Sequence, residues 1–142
     1  MEEQLSNSFN QIRDRIDLAV EKAIQYSAEK IKSDLAEIFE TEGRSHDTQW
    51  PELKEAYLKW KIRKGFSEQK LQKTTNLRQS FAYKILDKYK AKVGTPAPYA
   101  IFHEYGTRKM PARPFMQPVL NRFVEKDLKR IFQKAFTEAI ER

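Results

Sequence analysis

Apolar side chains recur at helical spacing along the first third of the chain. Leu5, Phe9, Ile12, Ile16, Ala19 and Ala23 step by 4, 3, 4, 3 and 4 positions, and a neighbouring row of Val20, Ile24, Ser27, Ile31, Leu35 and Ile38 takes over as the stripe drifts. This pattern predicts one helix over residues 1–42, with Gly43 as the left-handed residue that ends it. At 1.5 Å per residue the helix is roughly 55 Å long, longer than a domain of this size is wide. Either one end overhangs and finds a partner, or the helix bends or lies across its own domain. Residues 43–50 are a loop of small polar groups, and Pro51 reads as the first position of a second helix ended by Gly65. Leu53, Tyr57, Trp60 and Lys61 share one side of it. Trp50, Leu53, Tyr57, Trp60, Leu77 and Phe81 are candidate core anchors; each tryptophan can remove about 150–250 Å² from water, with ligand stacking as the other reading. From Leu77 to Val93 the period changes to two: the odd positions read Leu77, Gln79, Phe81, Tyr83, Ile85, Asp87, Tyr89, Ala91 and Val93, and the even ones are mostly polar or basic. That predicts strands with one buried face, folded into a hairpin near Asp87-Lys88 and ended by Gly94 and Pro96. The final segment, from Phe115 to Arg142, returns to helical spacing through Leu120, Val124, Leu128, Ile131 and Ala135, widened by Phe123, Phe132, Phe136 and Ile140. The sum is a single α+β domain, with long N- and C-terminal helices packed on a small antiparallel sheet. Its parts are a helix over 1–42, a loop and short helix over 43–76, strands and a turn over 77–110, and a helix over 111–142.

Between the strands and the last helix the chain is most tightly specified. Tyr99, Phe102, His103, Glu104 and Tyr105 precede Gly106, and Pro111, Ala112, Arg113, Pro114 and Phe115 follow. Gly106 offers a positive φ, while Pro111 and Pro114 push Met110 and Arg113 toward extended backbone, so no helix runs unbroken from Tyr99 to the end. Pro114 suits the first turn of the last helix. Stiff backbone carrying Tyr, Phe and Arg describes a surface whose shape matters. Tyr99, Tyr105 and Phe115 are candidate anchors of a subunit contact there, with His103, Glu104, Gly106 and Arg113 beside them.

Charge divides unevenly. Residues 1–42 carry ten acidic and five basic side chains, −5, and residues 43–142 carry ten acidic and twenty-two basic, +12, which together make the net +7. Such an asymmetry guides one copy onto another head to tail, or a basic face onto nucleic acid, unless both are simply solvated faces. Twelve basic and three acidic residues lie between Lys54 and Lys92, with Lys59, Lys61, Arg63 and Lys64 grouped among aromatics. They are candidate contacts to DNA or to an acidic partner. With no cysteine among 142 residues there is no thiol chemistry. No apolar run approaches membrane-spanning length, and Met1-Glu2-Glu3 is unlike a signal sequence, so the expectation is a soluble protein without its own export signal or a membrane partner. The two histidines, His46 and His103, lack metal-ligand spacing, and no nucleophile elbow or phosphate loop is present. No metal, cofactor or small-molecule substrate is expected. His103 with Glu104 is the one pair on which a small hydrolase could be built.

Tyr99-Ala100, His103-Glu104, Gly106-Thr107 and Pro111-Ala112-Arg113-Pro114-Phe115 together resemble the virion morphogenesis or tail completion proteins of tailed bacteriophages, notably the Mu-like group. Trp50, Leu53, Tyr57 and Lys61, then Thr75, Leu77 and Ser80, resemble that family's upstream pattern, with Asn76 standing where glycine is usual. Asn tolerates left-handed backbone better than other residues with a side chain. The resemblance covers roughly Trp50 to Pro118. It implies a non-enzymatic protein that completes the tail or joins it to the head as a homo-oligomeric ring, in contact with tail or neck proteins, DNA passing through. Such a protein works in the host bacterial cytoplasm during assembly and then in the virion. A basic DNA-binding module and a His103/Glu104 hydrolase are the alternatives from other classes.

Overall fold

The computed structural model of the chain describes residues 1–52, 54–65 and 76–141. Its spine is a 39-residue helix, α1 (Glu2–Glu40), about 58 Å long at 1.5 Å per residue. Glu42, rather than Gly43, takes the first left-handed position beyond it, at φ 53°, and Gly43 follows at φ 92°. This lets the Gly43 N–H donate to the Ile38 carbonyl at 2.9 Å and the Glu42 N–H to that of Phe39 at 3.4 Å, the paired bonds that satisfy a helix's last carbonyls. A 3₁₀ turn over Arg44–His46 leads on.

The second helix, α2 (Glu55–Arg63), begins four residues after Pro51 rather than at it. Leu53 and Thr75 lie outside the described residues, and so do the expectations placed on them. A one-turn helix, α3 (Asn76–Gln79), occupies the start of the run expected to be strand. Pairing begins only with β1 (Ala82–Asp87), which returns as β2 (Lys90–Gly94) through a turn at Lys88-Tyr89. The two strands are antiparallel, with Tyr83 opposite Val93, Lys84 opposite Lys92, and an irregularity between Ile85 and Asp87. The hairpin lies along α1, where the Tyr83 hydroxyl donates to Glu29 at 3.3 Å and the Tyr89 hydroxyl to Asp17 at 2.7 Å. Lysines 84 and 92 face solvent side by side.

After α4 (Ala100–Tyr105) the chain enters its last helical stretch: α5 (Met116–Arg122), a π turn over Phe123–Asp127, and α6 (Leu128–Ile140). Pro118, not Pro114, sits in its first turn, where a missing N–H removes no helical bond. This stretch runs back along α1, with Val119 against Leu35 and Phe39, and Ile131 and Ala135 against Ala23. Its buried row is Val119, Phe123, Asp127, Ile131, Ala135 and Ala139, stepping by four. An α-helical row at that spacing rotates steadily off its face, and the wider π turn takes up the excess. As a result Leu120, Val124 and Leu128, which head the expected stripe, point outward, and only its second half is buried as expected.

The main core gathers Leu35, Ile38 and Phe39 of α1 with Trp50, Leu77, Phe81, Ala100, Phe115 and Val119. Phe39 sits at its centre, 5.5 Å from Trp50, 5.7 Å from Phe81 and 5.3 Å from Phe115 between ring centroids. Each such pair adds about 0.5–1.5 kcal/mol beyond the area it buries. Residues 1–16 are all exposed, and no element among the described residues buries them. The architecture is therefore α+β, with long helices at both ends of the chain and a two-stranded antiparallel sheet. No helix among the described residues is long and apolar enough to cross a membrane.

Candidate interaction site

The corner between α4 and α5 is built from the backbone outward. Gly106 ends α4 at φ 76°, its N–H donating to the Phe102 carbonyl at 2.8 Å. A Cβ there would stand 2.8 Å from the Ala112 nitrogen and 3.0 Å from the Met110 carbonyl oxygen, so only glycine fits. Thr107 and Met110 then exchange backbone bonds of 2.8 and 3.3 Å, closing a tight loop that carries Arg108 and Lys109 at its tip. The Arg113 N–H donates to the His103 carbonyl at 2.7 Å and brings the chain back beneath α4.

Side chains lock this loop from the inside. Both Glu104 oxygens receive backbone N–H groups at the start of α5: Phe115 and Met116 at 2.8 and 3.0 Å, and Gln117 at 2.9 Å. A carboxylate in that position satisfies donors that the helix leaves free and sits at the positive end of its dipole. The Trp50 indole N–H donates to the Pro114 carbonyl at 2.8 Å. Arg113, itself buried, gives Nε to Pro51 and Nη2 to Glu52 carbonyls at 3.0 and 3.2 Å. His103 packs edge-on to Tyr99, and burial, with Arg113 nearby, lowers its pKa below the ordinary value.

This arrangement divides the residues singled out from the sequence into two groups. Phe115 is a core side chain, wedged between Phe39 and Phe81, and is not available to a neighbour. Glu104, Gly106 and Arg113 are spent on holding the corner's own shape. Tyr99 and Tyr105 are exposed, together with Ile101 and Phe102, which the sequence reading did not single out. A helical face of Ile101, Phe102 and Tyr105 is legible only once the short α4 is known to be a helix.

Around α2 the outcome is mixed. Trp50, Leu77 and Phe81 lie in the core, whereas Tyr57 is exposed, its ring stacked at 5.8 Å on a half-buried Trp60. Lys59, Arg63 and Lys64 are exposed, but Lys61 is fully buried with its ammonium 5.9 Å from the Tyr57 ring, and is closed to any nucleic acid. Ser80 closes the short α3 by donating to the Leu77 carbonyl at 2.6 Å.

His46, like Asp34 and Asp127, is a buried polar residue. His46 lies with Nε2 3.9 Å from Asp34 Oδ2, beyond hydrogen-bond distance, while Asp34 Oδ1 accepts from Lys30 at 3.0 Å. Burial, then Arg122, lowers the His46 pKa despite that carboxylate. Nothing in the polar loop around His46 signals this. Among the described residues no cluster of three or more His, Cys, Asp or Glu side chains is arranged to hold a metal ion.

A family model described as the phage virion morphogenesis family matches residues 2–137. The chain belongs to that family. Comparison with curated proteins and with solved structures returned no match to either. A role in building phage particles follows from membership of the phage virion morphogenesis family. The family match extends well beyond the motifs between Trp50 and Pro118, taking in both the exposed start of α1 and the corner around Gly106.

Proposed function

We propose that the protein is a non-enzymatic structural component that completes the phage tail or joins it to the head, acting as a homo-oligomeric ring in contact with tail or neck proteins. The observation that carries this reading is the corner: Glu104 and Arg113 are consumed in holding its own shape, while Ile101, Phe102 and Tyr105 are left facing outward. Exposed apolar groups on a rigid support are what a protein surface grips; contiguous apolar patches on soluble proteins mark interaction sites. The free start of α1 gives a second such surface. In this reading the protein works in the bacterial cytoplasm as particles form and is retained in the virion, with DNA passing through the ring.

A phage bearing a stop codon in this reading frame tests the role. The expected outcome is separate accumulation of filled heads and tails in electron micrographs of the lysate, reversed by supplying the protein from a plasmid. Normally joined, infectious particles from the mutant would overturn the proposal. Native mass spectrometry of the purified chain tests the ring: the expected result is one closed oligomer of more than two copies.

A further inference from the structure

Two large apolar surfaces lie at opposite ends of the molecule. At one end Leu5, Phe9, Ile12 and Ile16 form a stripe on the free start of α1, each between 46% and 67% exposed. At the other, Ile101, Phe102 and Tyr105 are between 53% and 76% exposed. The outward row on the last helix is uncovered in part, with Val124 at 63% between Leu120 at 38% and Leu128 at 36%. Ala100 and Phe115 anchor the corner against Leu35, Ile38 and Phe39 at the far end of α1, so about 40 Å of helix separates the two surfaces. A straight helix does not fold back on itself, and within one chain they do not meet.

Their charges are opposite. Residues 1–18 hold Glu2, Glu3, Asp14 and Asp17 against Arg13 and Arg15, a balance of 2 − 4 = −2. The corner displays Arg108 and Lys109, while Glu104 is turned inward onto α5. Pairing arm with arm sets acid against acid, and pairing corner with corner sets cation against cation. Pairing arm with corner covers both apolar surfaces and matches both charges through a single kind of contact.

We infer that the start of α1 from one copy docks on the α4 corner of the next, a head-to-tail contact between identical chains. It deepens the self-association proposed above and rests on it. Because the two halves of the contact lie at opposite ends, each added copy presents a fresh surface, and the rotation between copies decides whether the array closes into a ring.

Mixing two blocked variants tests the contact. Phe9→Gln with Ile12→Gln removes the arm's apolar stripe but leaves the corner; Ile101→Gln with Tyr105→Gln does the reverse. All four positions are exposed, and circular dichroism checks that both variants fold. By light scattering, each variant alone is expected to be monomeric where the natural chain is oligomeric, and an equimolar mixture to form a one-to-one dimer that grows no further. Self-association of either variant alone at the natural strength overturns the contact, as does a natural chain that stays monomeric at every concentration. The absence of cysteine from the sequence allows a second measurement. A Phe9→Cys chain oxidised with a Tyr105→Cys chain is expected to give a disulfide-linked mixed dimer, whereas linkage of Phe9→Cys only to itself overturns the assignment. These measurements use no other phage protein, so their failure removes the contact and leaves the morphogenesis role to the stop-codon mutant; normal particles from that mutant would remove the role and leave the contact standing.

Discussion

Gly106 and Glu104 show how much a few atoms decide at the corner. A methyl at Gly106 would collide with backbone on the far side of the loop, at a φ that side chains rarely adopt. Gly106→Ala is therefore expected to cost about 1–3 kcal/mol, read from the urea midpoint; an unchanged midpoint would show that the loop adjusts freely. Glu104, by contrast, is replaceable in kind, because three N–H groups need an acceptor rather than this particular acid. The histidines set a pH dependence of definite sign. His46 and His103 both have folded-state pKa values below the ordinary 6.5, chiefly because burial disfavours the charged ring. Below that pH the unfolded chain binds protons that the folded chain resists, so their contribution to stability is full above 6.5 and is lost as pH falls toward the depressed values. Thermal melts are expected to drop as pH falls from 7 toward 5, by less in a His103→Gln variant; a flat profile would contradict the burial of these rings.

Helices and strands follow local pattern, but their faces answer to neighbours. The last helical stretch was legible from its spacing, yet the row that heads its apolar periodicity points to solvent because the π turn over Phe123–Asp127 rotates the helix by part of a turn. Ile131→Ala is accordingly expected to destabilise by about 2–5 kcal/mol, and Val124→Lys to stay within about 0.5 kcal/mol. Denaturant titration of both variants checks this, and the reverse order would place the register one residue off. The hairpin tells a similar story at its start: alternation begins at Leu77, but the first three residues of the run coil into α3, whose Leu77 enters the core from a helix rather than a strand. Alternation alone does not say where pairing begins, since a strand needs a partner and the one available here is five residues long.

For the molecule as a whole, charge and shape act together. An acidic arm projecting from a basic body, each ending in uncovered apolar surface, is the form that the proposed head-to-tail contact would use. Attraction between exposed charges is screened by salt, so self-association is expected to weaken as sodium chloride rises from roughly 0.05 to 0.5 M, as followed by sedimentation velocity. Association that strengthens steadily over that range would assign the contact to apolar burial alone.

The amino-acid sequence by itself determined the longer elements and their order, though not the short α3 and α4: the long first helix, the hairpin near Asp87-Lys88, the break at Gly106 and the return to helix. These depend on periodicity and on glycine and proline, which act over a few residues. Residue motifs also sufficed to recognise the family. Tertiary structure alone decided which groups face out. Lys61 and Phe115 are buried and Glu104 and Arg113 turned inward, whereas Ile101 and Phe102 are left bare. The physical reason is that one position along a helix is a rotation of about 100°, so exposure is set by where the other elements lie, and that is written in contacts between residues far apart in the chain.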